Sequence, residues 1–515
     1  MVTSVFPLRP GSPARCGARR LPSRGPSLVP VVAVALMLGG CVVGPDYAGP
    51  PSAAPRAETG AGFVRAGAVA AVSQPRSARW WTSLNDPQLT RLVEQALEAN
   101  AQVRVAWARL QQSRAVVGGR IADLAPTVGS NAVALNNQLP LKTFLGDRAG
   151  EALTGLTGAP VPKSINFDIY NAGFDASWEI DIFGGRQRAI EQAGALAGAA
   201  EAQVADTQVQ VAAETAQAYV ALRGAQRRVA LGQRSAALQR ETLRLAEQRL
   251  AQGAGSALDV ERIRSQYENT ASTIPPLQAE VDANLNRLAV LLGLEPGALD
   301  PALRSAKPVP VPPRSVALGD PMAMLRRRPD VRQAERQLAA ANAQIGQAVA
   351  RLFPRVNLIG NAGWISPNIG DIGTLAASTY TVGPTLQWNV LDFGRTLAQI
   401  RQSEAGAEIQ VVQYEQTVLQ ALQDAETALS RYGHQRVAVA RLARANAAAA
   451  RASSLTNQRN QAGTISTVDV LDVERQRLQT EQSLAQGQTE MTTAYVSLQK
   501  SLGAGWTSEE APDTW

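Results

Sequence analysis

Few side chains in this 515-residue chain are suited to chemistry, and their scarcity is informative. It holds one histidine, His434, and two cysteines, Cys16 and Cys41. A histidine general base, a Cys/His zinc site and a disulfide framework are therefore poorly supplied. No glycine-rich phosphate loop and no Gly-x-Ser-x-Gly elbow occurs. Carboxylates remain. In Asp469-Val470-Leu471-Asp472 two acids stand three apart, which on a helix puts them on one face. Ser466-x-x-Asp469 and Ser256-x-x-Asp259 both have near capping-box spacing, with Asp where Glu or Gln is usual, so Asp469 and Asp259 also fit helix N-termini. Asp472 has no capping role at its spacing. Nothing points to catalysis, to a cofactor or to a metal, and the chain reads as a non-enzyme.

The net charge of +7 invites a nucleic-acid reading, which fails once the charges are located. Residues 1–40 carry five arginines (Arg9, Arg15, Arg19, Arg20, Arg24) and no acid, leaving only +2 for the rest and no basic patch to hold phosphates. Those arginines precede the apolar run Leu28–Met37, which is too short to span a bilayer and is broken by Pro30. With Leu38-Gly39-Gly40-Cys41 after it, the stretch 1–40 reads as a secretory signal. Leu-Gly-Gly-Cys resembles the lipobox of bacterial lipoproteins, which implies that Cys41 is acylated as the first mature residue. Val42 after it, rather than Asp, favours outer-membrane sorting by the same resemblance. Residues 41–80, rich in Pro, Ala and Gly, read as an extended linker behind a lipid anchor.

The elements that position these residues come in two copies. Asp86-Pro87 and Asp320-Pro321 each give an N-cap followed by Pro at the first helical position. Leu124-Ala125-Pro126 matches Leu352-Phe353-Pro354, and Trp178 followed by Phe183-Gly184 matches Trp388 followed by Phe393-Gly394. Gly253, Ser256, Asp259 and Val260 match Gly463, Ser466, Asp469 and Val470 at a constant shift of 210. The expected organisation is a first repeat over 81–295, a Pro-rich connection over 296–319, a second repeat over 320–505 and a tail over 506–515. Each repeat reads as helix, strand pair, long helical tract. From Pro384 to Pro512 there is no intervening proline, and Val411, Val418, Leu422, Ala425, Leu429 and Tyr432 form a narrow stripe of coiled-coil type. A helix over 186–252 would be ~100 Å long.

Four segments alternate with period two. Tyr170, Ala172, Phe174, Ala176, Trp178 and Ile180 share one face; Tyr380 to Val390 and Val356 to Trp364 behave alike, and 127–135 alternates weakly. Such strands resemble those of a transmembrane β-barrel, although a soluble half-buried sheet also alternates. Four strands cannot close a barrel, and lipid does not tolerate an open sheet edge, so a membrane reading requires several copies. The fold class is thus α+β, internally duplicated, with four transmembrane β-strands per chain and long α-helical coiled coils.

A Cys followed by Val43-Gly44-Pro45-Asp46-Tyr47, a tandem duplication and Pro-free helical tracts together resemble the TolC-type outer-membrane efflux channels, in their NodT/OprM-like lipoprotein branch. The resemblance covers essentially the whole mature chain. It implies a homotrimer with a 12-strand barrel in outer-membrane lipid and a helical tunnel in the periplasm. It also implies a periplasmic adaptor (membrane fusion) protein and an inner-membrane pump of the resistance-nodulation-division (RND) type as partners, with no nucleic acid. In such channels the inner helices close the periplasmic end beside the Asp-Val-Leu-Asp stretch. That makes Asp469, Leu471 and Asp472, with Asp259, gate candidates; three copies converging on the axis would repel one another and favour cations. Gly253, Ala254, Gly463 and Thr464, at the hairpin tips, become adaptor contacts, although a glycine there also suits a left-handed helix cap. The chain departs from the family's Tyr–Arg inter-helix lock, whose places fall to Asn460 and Ile465.

His434 reads as a surface or packing residue, Arg326-Arg327-Arg328 as a solvated face, and Trp80 and Trp81 as packed on the body. The leading reading is a passive efflux conduit. Type I protein secretion through the same fold and a lipid-anchored coiled-coil scaffold without a pore are the alternatives.

Overall fold

The computed structural model describes residues 42–68, 71–72, 78–160 and 162–506. Cys41 and the leader before it lie outside the described residues, as do 507–515 of the tail.

Each repeat opens as its caps dictate. Asp86 accepts the amides of Gln88 and Leu89 ahead of helix α1 (Pro87–Ala99), and Asp320 accepts that of Ala323 ahead of α7 (Pro321–Arg327). Helix α2 (Ala101–Ala122) leads into strand β1 (Thr127–Leu139), and α8 (Pro329–Ala350) into β3 (Arg355–Ser366). Helix α3 (Leu141–Thr157) joins β1 to β2 (Ile165–Ile180), whereas two short 3-10 turns join β3 to β4 (Ser378–Gln387). The long helices are α4 (Gly185–Ala251) and α9 (Arg395–Gln461), each 67 residues and so ~100 Å. Both begin after a glycine in the left-handed region, Gly184 and Gly394.

The returning helices differ between repeats. In the second, α10 (Thr467–Ser501) runs unbroken; in the first, α5 (Ala257–Ser272) stops and α6 (Ile274–Leu291) restarts at Pro275-Pro276. Two prolines remove two amide donors and are tolerated only at a helix start, so the break falls there. The core gathers around the middle of the long helices. Trp80 and Trp81 are each 3% exposed; Trp80 packs edge-on against Tyr495, and Tyr495 against Tyr432. Of the expected stripe, Val418, Ala425, Leu429 and Tyr432 are buried there.

The sheet has the order β1-β2-β3-β4, antiparallel throughout, with β1 and β4 as edges. Its registers put Tyr170, Phe174, Trp178, Leu358, Val382 and Leu386 on one face, and Asn171, Asp175, Asn357, Asn361, Thr381 and Thr385 on the other. Gly173 pairs with Gly363 on the polar face, where a methyl group on Gly363 would lie 2.6 Å from Gly173 Cα. Only glycine permits that approach.

Three expectations need correction. The Pro/Ala/Gly-rich stretch is not merely an extended tether: Ala54, Ala57 and Phe63 are buried against the body, and Glu426 accepts the amides of Val64 and Arg65. Arg328 does not belong to a solvated face. It is 8% exposed and donates to the carbonyls of Ala421 and Ser501 and to Asp330, while Arg326 and Arg327 stay in water. Finally, β4 ends at Gln387, although the alternation runs on to Val390.

Candidate functional site

Three places along the chain carry functional potential: the apolar face of the sheet, the junction below it and the two hairpin tips. On the sheet, Val128, Phe174, Tyr380, Val382 and Leu386, which share one face, are all more exposed than buried. The band from Tyr170 to Ile180 spans about 34 Å of strand, or roughly 26 Å of height at a tilt near 40°, which matches the apolar girdle of a membrane barrel. At its helix end Trp178 donates its indole N–H to the Leu124 carbonyl (2.8 Å), and Trp388 to that of Leu352 (3.0 Å). The same residue in each repeat thus closes the same turn, with its polar edge satisfied and its ring toward the apolar face. Among the described residues no helix is long and apolar enough to cross a membrane.

At the junction the first described residues are clasped. Val43 donates to the Phe183 carbonyl. Arg188, 3% exposed, donates to the carbonyls of Val43 and Gly44 (both 3.1 Å), to Asp46 (2.7 Å) and to Glu191 (2.8 Å). Gly44 presses on Gly346, where a methyl group would lie 2.5 Å from Gly346 Cα. Sequence reasoning missed this clasp. Arg188 sits in a helical run with ordinary spacing, and its acceptors are backbone carbonyls that any residue carries.

At the tips the two repeats fold alike. Gly253 donates to the Leu250 carbonyl and Ala254 to that of Arg249; Gly463 donates to Asn460 and Thr464 to Arg459. Both are Schellman turns, and both glycines have φ +72°. Gly253, Ala254, Gly463 and Thr464 are exposed. Beyond the turn, Ser466 and Asp469 form a reciprocal capping box, each side chain accepting the other's backbone N–H. Ser256 accepts instead from Leu258, and Asp259 stands half-buried in the first turn. Leu471 is half-buried. Asp472 is exposed and pairs with Arg475 on its own helix at 3.3 Å, an exposed pair of little energetic weight. Asn460, where the family lock would stand, donates to the Ile465 carbonyl and braces the tip within one hairpin. Further up, Glu481 of α10 pairs with Arg234 of α4 (2.9 Å), joining the two hairpins. Among the described residues no group of three or more His, Cys, Asp or Glu is placed to hold a metal.

The family model described as outer membrane efflux protein matches residues 92–294 and 321–504. Nodulation protein T of Rhizobium leguminosarum bv. trifolii is 31% identical over 92% of this chain and 96% of its own length. Outer membrane protein OprJ of Pseudomonas aeruginosa is 29% identical over 93% and 96%. Among solved structures, the outer-membrane channel OprN superposes with a TM-score of 0.80 at 35% identity, covering 90% of this chain and all of that one. The MtrE outer-membrane channel of Neisseria gonorrhoeae, solved in its open state, gives 0.77 at 25% identity, covering 90% and 98%.

Proposed function

The chain belongs to the outer membrane efflux protein family, and on that premise we propose that it is the outer-membrane conduit of a tripartite efflux system in a Gram-negative envelope. The observation that carries this reading is one chain joining a four-stranded sheet, apolar on its outer face and open at both edges, to helices ~100 Å long. Three copies would close a 12-strand barrel and continue it as a helical tunnel. Solutes would pass down a gradient set by an inner-membrane pump of the RND class, handed over by a periplasmic adaptor that meets the tips at Gly253, Ala254, Gly463 and Thr464. An acyl group on Cys41 would enter lipid beside the clasp that holds Val43 and Gly44. The protein itself needs no catalytic group.

Gating is assigned to Asp469, Leu471 and Asp472, with Asp259 on the neighbouring hairpin. The capping box gives Asp469 a structural task whether or not it gates, whereas Asp472 has a partner only on its own exposed helix face. Three Asp472 carboxylates brought to the axis would bind cations and hold the pore narrow.

The test is single-channel conductance of the mature protein in planar bilayers, alone and as Asp472→Asn and Asp469→Asn/Asp472→Asn variants. The native channel is expected to conduct poorly, prefer cations and be blocked by multivalent cations from the periplasmic side; both variants lose the block and open more often. Identical behaviour of all three removes the gate assignment and leaves the conduit. Silence despite confirmed insertion removes the conduit and favours the scaffold.

A further inference from the structure

Where the polar face of the sheet meets the first turns of α4 and α9 there is a cavity of about 460 Å³, within the roughly 300–1,000 Å³ of small-molecule sites. Arg355 and Gln387, a register pair on that face, line it from the sheet, as does Glu179, the partner of Asn357. Four arginines line it, Arg186, Arg351, Arg355 and Arg395, with three carboxylates. Each carboxylate is already engaged: Glu179 accepts from Arg186 (2.8 Å), Asp181 from the Gln187 amide (2.8 Å), and Asp392 from the amides of Gly394 (3.0 Å) and Thr396 (2.8 Å). Most of the guanidinium donors are not. Arg351 donates only to the side-chain carbonyl of Gln399 (2.9 Å), and the buried Arg186 Nε lacks a partner. Among the described residues Arg355 and Arg395 form no ion pair and no side-chain hydrogen bond.

The duplication shows that the fold does not require these cations. A shift of 228 carries Leu124 to Leu352, and one of 210 carries Trp178 to Trp388. Under the same shifts Arg351, Arg355 and Arg395 correspond to Asp123, Thr127 and Gly185 of the first repeat. There the equivalent turns are built with an acid, a hydroxyl and a glycine: Asp123 pairs with Arg120 (3.3 Å), and Thr127 donates to the Ser177 carbonyl (3.1 Å). Three exposed guanidiniums at one cavity repel one another, and an anion between them relieves that repulsion. Each presents a planar fork of N–H donors that matches the oxygens of a carboxylate or sulfonate. The same cavity also has an apolar wall, formed by Ile182, 37% exposed, and by Phe183 and Phe353, stacked with ring centroids 4.6 Å apart.

We infer that this cavity binds amphiphilic organic anions: Arg351, Arg355 and Arg395 receive a carboxylate or sulfonate, while an aromatic or alicyclic body lies against Ile182, Phe183 and Phe353. One chain supplies every residue of the site. Its place on a solute path rests on the conduit proposed above, in which the polar face of the sheet turns to the lumen. The proposed gate carboxylates do not cancel the field of these arginines, since α9 separates Arg395 from the tip by ~100 Å and charges are screened over about 10 Å. A solute leaving the helical tunnel would therefore meet a cationic surface just before the sheet, a preference set by the channel itself rather than by its pump.

The probe is naphthalene-2-sulfonate, a soluble aromatic anion, titrated by calorimetry into the protein in lipid nanodiscs with empty nanodiscs as the blank. Arg355→Gln/Arg395→Gln is expected to weaken binding about tenfold or more with helical circular dichroism retained, and Arg327→Gln, an exposed arginine on α7, to leave it unchanged. The neutral naphthalene-2-sulfonamide should bind about tenfold more weakly than the sulfonate, and without dependence on salt. No binding by the folded native protein, equal binding by the double variant, or equal affinity for the sulfonamide overturns the site. In planar bilayers the sulfonate should lower the single-channel current of the native protein and not that of the double variant. Block retained in the double variant, or no block at concentrations that saturate binding, overturns the position on the solute path. A protein that binds the sulfonate as expected yet never conducts keeps the site and overturns the conduit.

Discussion

Replacing Arg188 by Met keeps the apolar stem and removes the five N–H donors that clasp the first described residues. Two of its bonds go to the carbonyls of Val43 and Gly44, each at 3.1 Å. Hydrogen bonds to a charged group are worth about 1.5–3 kcal/mol each. The Asp46 carboxylate is 92% exposed and regains water when released, so it adds at most ~1 kcal/mol. Allowing for water that replaces part of the loss, local closure should weaken by about 2–3 kcal/mol, which is roughly 30- to 150-fold in the opening equilibrium. The assay is native-state hydrogen exchange followed on the peptide that contains Val43, whose amide donates to Phe183 at 3.2 Å. Exchange there should accelerate by about that factor while peptides of α9 stay at the wild-type rate. Gly44→Ala should do the same by a separate route, since Gly44 has φ +89° and no room against Gly346. Exchange within about threefold of wild type, or equal acceleration everywhere, would refute a local clasp.

Other outcomes follow from two charged groups, buried Arg328 and half-buried Asp206. Arg328→Met strands the carbonyls of Ala421 and Ser501 and one side of Asp330, so it should cost about 3 kcal/mol and lower the unfolding temperature, whereas exposed Arg327→Met should leave it unchanged. Asp206 is pushed above the usual carboxylate range, first by burial and then by the facing Asp330, against the pull of Gln210, Lys500 and Arg328. A carboxyl raised in the folded state is an unfavourable charge at neutral pH, and the fold gains as protons bind. Asp206→Asn should therefore raise the unfolding temperature at pH 7 to 8, and calorimetry should find the difference closing as the pH falls through the acid range.

How much of this was legible follows from where each signal resides. The caps Asp86-Pro87, Asp320-Pro321 and Ser466-x-x-Asp469 act within four residues, so their sequence spacing is already their geometry. The alternation of Tyr170–Ile180 needs only the pleat of a strand, and the two shifts that carry Leu124 to Leu352 and Trp178 to Trp388 carry the hairpin register with them. Burial of Arg328 is different in kind: its acceptors come from α8, α9 and the end of α10, separated by as many as 173 residues. The clasp at Arg188 spans 145 residues and uses backbone carbonyls, which have no sequence signature. Strand β4 ends at Gln387, short of the alternation that runs to Val390, for a related reason. Alternation reports what a strand is suited to, whereas pairing depends on which neighbour is present.

The two repeats differ in the direction that the proposed assembly would require. The seam between α4 and α8 lies within one chain, whose connection already limits how far the helices can part. A small residue serves it, Gly198 against the stem of Arg336, and Ala199 and Ala202 beside it on α4 are buried. In the proposed channel the corresponding seam between copies would also have to offset the translational and rotational freedom that association removes, about 4–15 kcal/mol. There α9 carries Ile409 and Val412 where α4 carries alanine, and Leu419 where it carries valine. Covering those three side chains would contribute roughly 3–5 kcal/mol per seam, and a closed ring repeats that gain at every junction. A duplicated gene can therefore build a near-regular barrel from unequal halves: tight and small where the chain holds itself together, larger and more apolar where a second copy must be held.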